Sequence, residues 1–168
     1  MESKVVSGVA YSRDEAKMTL VKVEDRPGIA AAIFGPLAEA GVNVDMIVQN
    51  ISELDDPSDK RAYTDMTFSL PTNQVERARK AMEEAKGAGK FTYGKLVTDT
   101  DVAKISVVGI GMRSQVGVAA KMFAALAAEN VNIKVISTSE IKISVLIDRK
   151  YMELAVQALH DVFELDKA

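Results

Sequence analysis

The chain has 168 residues, a net charge of −3 and no cysteine, and 48% of its residues are hydrophobic. No apolar run approaches the roughly 18 residues of a membrane-spanning helix, and the first residues lack a charged-then-apolar signal pattern. Aromatic residues make up 5% and the basic residues are dispersed, whereas nucleic-acid-binding proteins usually carry a basic patch. We therefore expect a globular cytoplasmic protein with no membrane partner, no nucleic-acid partner and no disulfide or thiolate chemistry.

An internal repeat dominates the sequence. The segment from Asp25 to Val44 recurs 89 positions later, from Ser114 to Ile133. At this offset, nine residue pairs between positions 28 and 47 are identical: Gly28/Gly117, Ala30/Ala119, Ala31/Ala120, Phe34/Phe123, Leu37/Leu126, Ala38/Ala127, Val42/Val131, Asn43/Asn132 and Ile47/Ile136. Two alanine-rich helices could share a few of these by chance, but not the glycine at the start together with the Val-Asn pair at the end. The repeat predicts a duplicated domain of about 70 to 80 residues per copy.

The first copy has the periodicity of a strand, a helix, two strands and a helix. In chain order these are a strand at 16–23, a helix at 29–40, strands at 42–51 and 65–70, and a helix from 75 onwards. Gly41 stands where a helix C-terminal glycine belongs, and Asn73 is a candidate N-cap of the second helix. The polar stretch 53–63 has no counterpart in the second copy and predicts a solvated hairpin loop.

The second copy repeats the same order of elements. In chain order these are a strand at 103–110, a helix aligned with that of the first copy, strands at 131–137 and 142–147, and a helix whose inward face runs from Met152 to Val162. Asp148 is a candidate N-cap of the last helix. Two extra residues lie in the loop between the first strand and the helix, around Gly111-Met112-Arg113. The loop between the first strand and the helix therefore differs between the two copies.

The order β-α-β-β-α-β predicts an α+β fold of two ferredoxin-like domains packed together, each an antiparallel sheet with helices on one face. Residues 91–97 and 162–165 can supply the fourth strands. The strand-like segment 4–10 precedes the first copy, and we expect it to add to a sheet edge of the second. The predicted domains are therefore 13–92 for the first, and 1–12 together with 93–168 for the second.

The sequence lacks the groups that most enzymes need. It has one histidine and no cysteine, which disfavours a nucleophilic triad or a metal site, and it has neither a dinucleotide fingerprint nor a P-loop. A small ferredoxin-like hydrolase would need an anion-binding loop with a catalytic arginine. Arg113 is the nearest candidate, and no such loop motif accompanies it. We predict no catalytic residue, no metal and no cofactor in this chain.

The Asp25-Arg26-Pro27-Gly28 segment before the first helix is the best candidate for binding a small molecule. Gly28 lets the backbone approach a ligand, and the N–H groups of Ile29 and Ala30 at the helix start can attract a carboxylate. Asp25 can accept an ammonium group, so the segment suits both ends of a zwitterionic amino acid. The alternative is structural, with Asp25 capping the helix and Gly28 making a turn.

Polar side chains also follow the apolar part of the second strand in each copy. Gln49 and Asn50 in the first copy can donate and accept hydrogen bonds at once, which suits a polar metabolite. Thr138-Ser139-Glu140 occupy the corresponding place in the second copy. Amides at strand ends are also common turn formers, so the structural alternative stays open here too.

Several segments together resemble the tandem ACT regulatory region of aspartokinase. The resemblance covers nearly the whole chain and is carried by residues 7–10, 15–17, 25–28 (Asp-Arg-Pro-Gly), 43–50 (Asn-Val-Asp-Met-Ile-Val-Gln-Asn), 64–68 (Thr-Asp-Met-Thr-Phe) and 132–144. The last segment is specific to aspartokinases among proteins with ACT domains. No kinase opening of the form Lys-Phe-Gly-Gly-Thr is present, so we expect a regulatory subunit or an excised regulatory region.

The resemblance implies an allosteric sensor of threonine, lysine or both, controlling aspartate phosphorylation in the lysine, threonine and methionine pathway. It implies a homodimer through the ACT domains, with effector sites between the first domain of one chain and the second of another, and an aspartokinase catalytic domain or subunit as partner. The implied effector-binding residues are Asp25, Gly28, Ile29, Ala30, Gln49, Thr64, Asn130 and Ile133. A second effector position would use Met112, Ser114, Val118 and Glu140. Ser52 and Ser139 resemble positions that affect feedback sensitivity.

The second copy departs from the family pattern. It has Gln115-Val116-Gly117, without a proline before the glycine and without an acid in the place of Asp25. We therefore expect one principal amino-acid site, with the second copy as its opposite wall. The alternatives are an ACT-type sensor that regulates another enzyme and a dimerisation module that binds no ligand.

Overall fold

The computed structural model describes residues 5–52 and 62–165, so most of the predicted loop over 53–63 lies outside the described residues. The strands are β1 (Val6–Glu24), β2 (Ile47–Ser52), β3 (Tyr63–Pro71), β4 (Lys95–Gly109), β5 (Val135–Thr138) and β6 (Lys142–Asp148). The helices are α1 (Ile29–Glu39), α2 (Val75–Gly87), α3 (Val116–Ala128) and α4 (Met152–Val162). The chain divides into a central unit, Glu15–Thr100, and a terminal unit made of Met1–Asp14 and Asp101–Ala168.

The central unit has the β-α-β-β-α-β order of the first copy. Its strands lie in the order β2-β3-β1-β4, and β3 pairs antiparallel with both β1 and β2. Residues 42–46, which were predicted to open the second strand, instead form an irregular connection, and β2 begins at Ile47. Met18, Leu20 and Phe68 of the sheet are almost fully buried in one core with Ile33 and Met82 of the helices. The predicted ferredoxin-like α+β fold is confirmed for this copy.

The terminal unit is assembled from two distant parts of the sequence. Its strands lie in the order β1-β4-β6-β5, with β6 antiparallel to both β4 and β5. The first part of β1 lies beside the end of β4, where the Ser7 hydroxyl donates to the Val108 carbonyl at 3.2 Å. The core joins Val6 to Ile105, Leu126 and Leu159. This unit therefore also has four strands and two helices, and residues 6–14 supply its fourth strand.

The predicted strand at 162–165 is wrong. Helix α4 continues to Val162, and the chain then turns, with the Glu164 N–H donating to the Asp161 carbonyl at 3.2 Å. Glu164 has a left-handed backbone with φ of 54°, which stops the helix and does not continue into extended chain.

The four helices of the described residues end in the same way. In α1 the Gly41 N–H donates to the Ala38 carbonyl and the Val42 N–H to the Leu37 carbonyl, each at 3.0 Å. These two bonds form a Schellman motif, which needs a left-handed residue directly after the cap. That position is held by Gly41, Gly89, Asn130 and Glu164, with φ of 74°, 75°, 61° and 54°. The predicted role of Gly41 is thus observed.

The predicted N-caps Asn73 and Asp148 are wrong. A 3₁₀ turn precedes each helix, and the N-cap positions fall on Gln74 and Tyr151. The Gln74 side chain accepts the Asn43 N–H at 2.7 Å, and Asp148 forms an ion pair with Lys134 at 2.7 Å. The side chains of Gln74 and Asp148 therefore bond to other segments of the chain, and neither makes a cap hydrogen bond to the helix that follows it.

Within residues 5–52 and 62–165, none of the helices combines the length and the apolar character that crossing a membrane requires.

Candidate functional site

The Asp25–Gly28 segment forms a tight turn between β1 and α1. Gly28 has φ of 88° and ψ of −4°, and the Ile29 N–H donates to the Arg26 carbonyl at 3.1 Å. Proline at the second position and a left-handed glycine at the third are the pattern of a type II turn. The Asp25 N–H donates to the Ala62 carbonyl at 2.8 Å, which fixes the backbone before the turn. The Asp25 side chain is exposed at this end of the central unit.

The anion-binding role predicted for the Ile29 N–H is wrong. This N–H is used by the turn, and the Ile29 side chain is 4% exposed in the core. The first bond of the α-helical type runs from the Ala32 N–H to the Gly28 carbonyl at 3.0 Å. The N–H groups of Ala30 and Ala31 lie before that bond and point out of the start of the helix. These two groups, and not the Ile29 N–H, are therefore placed to bind an anion.

The sheet brings the other predicted residues of the first copy to the same end. Across β2 and β3, Gln49 faces Met66 and Ile51 faces Thr64, and Thr64 also faces Val23 of β1. Directly opposed residues project from the same face, and Met66 belongs to the core beneath the helices. The exposed Gln49 side chain therefore lies on the face that carries the start of α1, at the edge strand of the sheet.

Thr64 lies beneath this surface. It has no exposed area, and its hydroxyl donates to the Asn50 carbonyl at 2.7 Å. The hydroxyl thus ties β3 to the polar end of β2 and supports the backbone that carries Gln49. Ser52 pairs with Tyr63 across the same strands.

A β-bulge in β1 lies just before the turn, and no sequence pattern predicted it. Leu20 faces Met66 and Val23 faces Thr64, so Val21 and Lys22 of β1 lie opposite the single residue Asp65 of β3. Lys22, inside the bulge, has a left-handed backbone with φ of 60°. Glycine or asparagine in the sequence usually indicates such a conformation, whereas a lysine does not.

In the terminal unit, the four residues of the predicted second position lie around the loop between β4 and α3. The Met112 N–H donates to the Glu140 carbonyl at 2.8 Å, Ser114 ends a 3₁₀ turn, and Val118 lies in the first turn of α3. Met112 is 2% exposed and belongs to the core, so its side chain offers no surface to a ligand. Ser139 closes the neighbouring hairpin, since its N–H donates to the Lys142 carbonyl at 2.8 Å.

Asn130 and Ile133 lie at the other end of α3. Asn130 is the left-handed residue of the Schellman motif that ends this helix, and Ile133 is half-buried against the core. Thirteen residues of α-helix, about 20 Å, separate them from the β4–α3 loop. The terminal unit therefore presents its predicted residues as two separate groups.

Among the residues that the structure describes, no group of three or more carboxylates and histidines could hold a metal ion. The candidate site thus consists of an exposed carboxylate, backbone N–H groups and an amide side chain at one end of the central unit. These groups suit the charged and polar ends of a small zwitterion.

Family models match both copies. Residues 17–87 match an ACT-domain model, and residues 105–163 match a second model that is also described as an ACT domain. The fold and these matches define a protein of two ACT domains, as the sequence predicted.

Relatives and solved structures narrow this class. The aspartate kinase of Pseudomonas fluorescens (strain SBW25) is 49% identical over 166 residues, which are 99% of this chain and 38% of the relative. The regulatory subunit of aspartate kinase from Thermus thermophilus, solved in its ligand-free form, is 39% identical with a TM-score of 0.82, covering 95% of this chain and 99% of that one. A chain in a crystal structure of aspartokinase alpha and beta subunits is 42% identical with a TM-score of 0.81, at the same coverage.

The chain belongs to the regulatory ACT-domain family of aspartate kinase. It spans 38% of the length of the curated relatives that it matches, and nearly the full length of the solved regulatory subunit. The predicted resemblance is confirmed.

Proposed function

We propose that this chain is the amino-acid-sensing part of an aspartate kinase, binding threonine, alone or together with lysine, and transmitting feedback inhibition. The observation that carries the proposal is the convergence of Asp25, the start of α1 and Gln49 at one end of the central unit. The family membership supports a regulatory role for these groups, and the catalytic partner would be an aspartokinase domain or subunit.

Each group has a distinct task in this proposal. The Asp25 carboxylate pairs with the ligand ammonium, while the N–H groups of Ala30 and Ala31 receive the ligand carboxylate. Gln49 donates to or accepts from the ligand side chain. Thr64 holds the strand that carries Gln49 and makes no direct contact with the ligand in this arrangement.

A second copy of the chain would complete the site. The candidate groups of the central unit are open to solvent, and a small ligand held on one side only binds weakly because little of its surface is buried. In the proposed homodimer, Asn130 and Ile133 of the second copy close the site. An effector that binds this dimeric arrangement better than the alternatives shifts the population towards it, which is what inhibition requires.

The β4–α3 loop of the terminal unit is proposed as a weaker second position. It has no carboxylate in the place of Asp25, and its 3₁₀ turn at 112–114 replaces the Pro-Gly turn of the first copy. Glu140 contacts this loop through its backbone, since its carbonyl accepts the Met112 N–H at 2.8 Å.

Titration calorimetry with threonine, lysine, methionine and isoleucine tests the proposal, together with sizing in solution. We expect heat with threonine or lysine and a dimer in the bound state. Asp25→Asn keeps the shape of the side chain and removes its charge, so threonine affinity should fall by about 10- to 100-fold, and Asp25→Ala should abolish binding.

Glu24→Gln is the matched control, because Glu24 is an exposed acid next to Asp25 and is the last residue of β1. It should keep the affinity of the unmodified chain within about twofold. No heat with any of the four amino acids would refute the sensor role. Equal loss in both variants would show that only the net charge of this region matters.

A further inference from the structure

The bulge at Val21 and Lys22 determines the register of the residues that lead into the candidate site. Before the bulge, Leu20 faces Met66; after it, Val23 faces Thr64 and Glu24 faces Tyr63. The extra residue brings Val23, which has no exposed area, onto the core face. Without it, the side chains after Leu20 would exchange faces, because a slip of one residue reverses the alternation of a strand. Asp25 would then start the turn from a different position.

The bulge is held by neighbours on both sides. The Lys22 N–H donates to the Asp65 Oδ1 at 2.9 Å, and the Gly94 N–H donates to the Val21 carbonyl at 2.7 Å. A Cβ at position 94 would lie 3.4 Å from both the Lys22 Cβ and the Val21 oxygen, so the chain passes close to the bulge here. The Lys22 Nζ lies 5.0 Å from the centroid of the Tyr63 ring.

The conformation of Lys22 is costly for a residue with a Cβ. A left-handed backbone at a residue other than glycine persists only where the surrounding structure imposes it. Asp65 supplies that constraint directly, since its carboxylate replaces the strand partner that the bulged N–H has lost.

We propose that Lys22 and Asp65 are positioning residues of the amino-acid site: the bulge that they maintain sets the path of residues 24–30 and so places the Asp25 carboxylate and the start of α1. This inference rests on the proposed function for its ligand, but the effect on the loop is measurable without any ligand. Lys22 acts through its backbone conformation, and its ammonium group is dispensable.

Two pairs of variants test the proposal. Lys22→Gly accepts the left-handed backbone without strain, whereas Lys22→Val strongly resists it. Asp65→Asn keeps an oxygen that can accept the Lys22 N–H, whereas Asp65→Ala removes the acceptor. We expect Lys22→Val and Asp65→Ala to weaken threonine binding by about tenfold, and Lys22→Gly and Asp65→Asn to stay within about twofold.

Amide hydrogen exchange in the ligand-free chain gives the second readout. The Asp25 N–H is bonded to the Ala62 carbonyl and the Ile29 N–H to the Arg26 carbonyl, and exchange of both should be faster by about tenfold in Lys22→Val and Asp65→Ala only. Ala78→Gly in the buried face of α2 is the stability control, because it weakens the same core without touching the bulge. Its threonine affinity and the exchange of the loop amides relative to the rest of the unit should match the unmodified chain.

The outcomes separate the two proposals. If the unmodified chain binds no threonine, the proposed function fails, and the exchange measurements still decide whether the bulge sets the loop. If Lys22→Gly loses affinity as strongly as Lys22→Val, the lysine side chain contacts the ligand and the positioning role is overturned. The role is likewise overturned if Ala78→Gly loses as much affinity, because binding would then follow stability alone.

Discussion

Asn130 adopts a left-handed backbone with φ of 61° at the end of α3, where its own N–H donates to the Ala127 carbonyl at 3.0 Å. Its position corresponds to Gly41 of the first copy, so a structural need explains the residue without any ligand. The family resemblance assigns the same side chain to the effector site. The two explanations make different predictions for stability and for binding.

Replacing Asn130 by glycine should leave the free energy of unfolding within about 0.5 kcal/mol, whereas alanine should lower it by about 1 kcal/mol, because only alanine is strained there. Urea unfolding of both variants measures this difference. If Asn130→Gly keeps full stability but loses threonine affinity, the amide contacts the ligand. If alanine is as stable as glycine, the left-handed conformation is not required in solution.

Single residues differ in how far the sequence could predict their roles. Asp25, Gly28 and Gln49 were identified because their residue types and order suit a zwitterion, and the structure brings them to one end of the central unit. Burial is a property of the folded chain, so the sequence could not reveal that Thr64 has no exposed surface. Nor could it reveal the bulge, because the strain at Lys22 depends on Asp65, 43 positions away.

At the scale of elements, helix α2 offers a direct test of the shared C-terminal motif. Gly87 is the last helical residue and Gly89 is the left-handed residue after the cap, with φ of 75°. A Cβ at either position meets no atom within 4 Å, so space does not distinguish them. Gly87→Ala should therefore stabilise the protein by about 0.5 to 1 kcal/mol, and Gly89→Ala should destabilise it by about 1 to 2 kcal/mol.

Thermal and urea unfolding of the two alanine variants measure the difference, and each serves as the control for the other. Changes of opposite sign in the free energy of unfolding would support the motif, since both substitutions add the same methyl group to the same exposed surface. Two stabilising changes would mean that the end of α2 is frayed in solution.

The order of the elements was predictable because the repeat supplied two independent readings of one pattern. The starts of the elements were less predictable. Each second helix begins after a 3₁₀ turn, and Asp148, which was expected to cap the second of them, forms an ion pair with Lys134 instead. Such contacts are between segments far apart in sequence, which local propensity cannot register.

At the scale of the whole molecule, Gly109 lies where the two sequence segments of the terminal unit contact each other. A Cβ at this position would collide with the Val5 carbonyl and lie 2.7 Å from the Met112 sulfur. The methionine end can move, but the carbonyl belongs to the segment that leads into β1 and cannot yield without shifting it. Gly109→Ala should lower the free energy of unfolding by about 2 to 3 kcal/mol.

Hydrogen exchange should locate this damage in the terminal unit. Amides of residues 6–10 should lose protection in Gly109→Ala, while those of α1, β2 and β3 should keep it. Gly8→Ala is the control. Gly8 lies on β1, within the segment whose protection is measured, and a Cβ there would meet no atom within 4 Å. Loss of protection in the central unit as well would contradict a local effect.

The strand formed by residues 6–14 is synthesised before its partner, residues 101–109 of β4. At the usual rate of translation, about 90 residues take on the order of ten seconds, which is long compared with the folding of a small domain. During that interval the central unit can complete its own sheet while the early strand waits unpaired. The nascent chain thus carries an exposed strand edge that can bind a chaperone or another nascent chain. Slowing translation after residue 100 would lengthen that exposure.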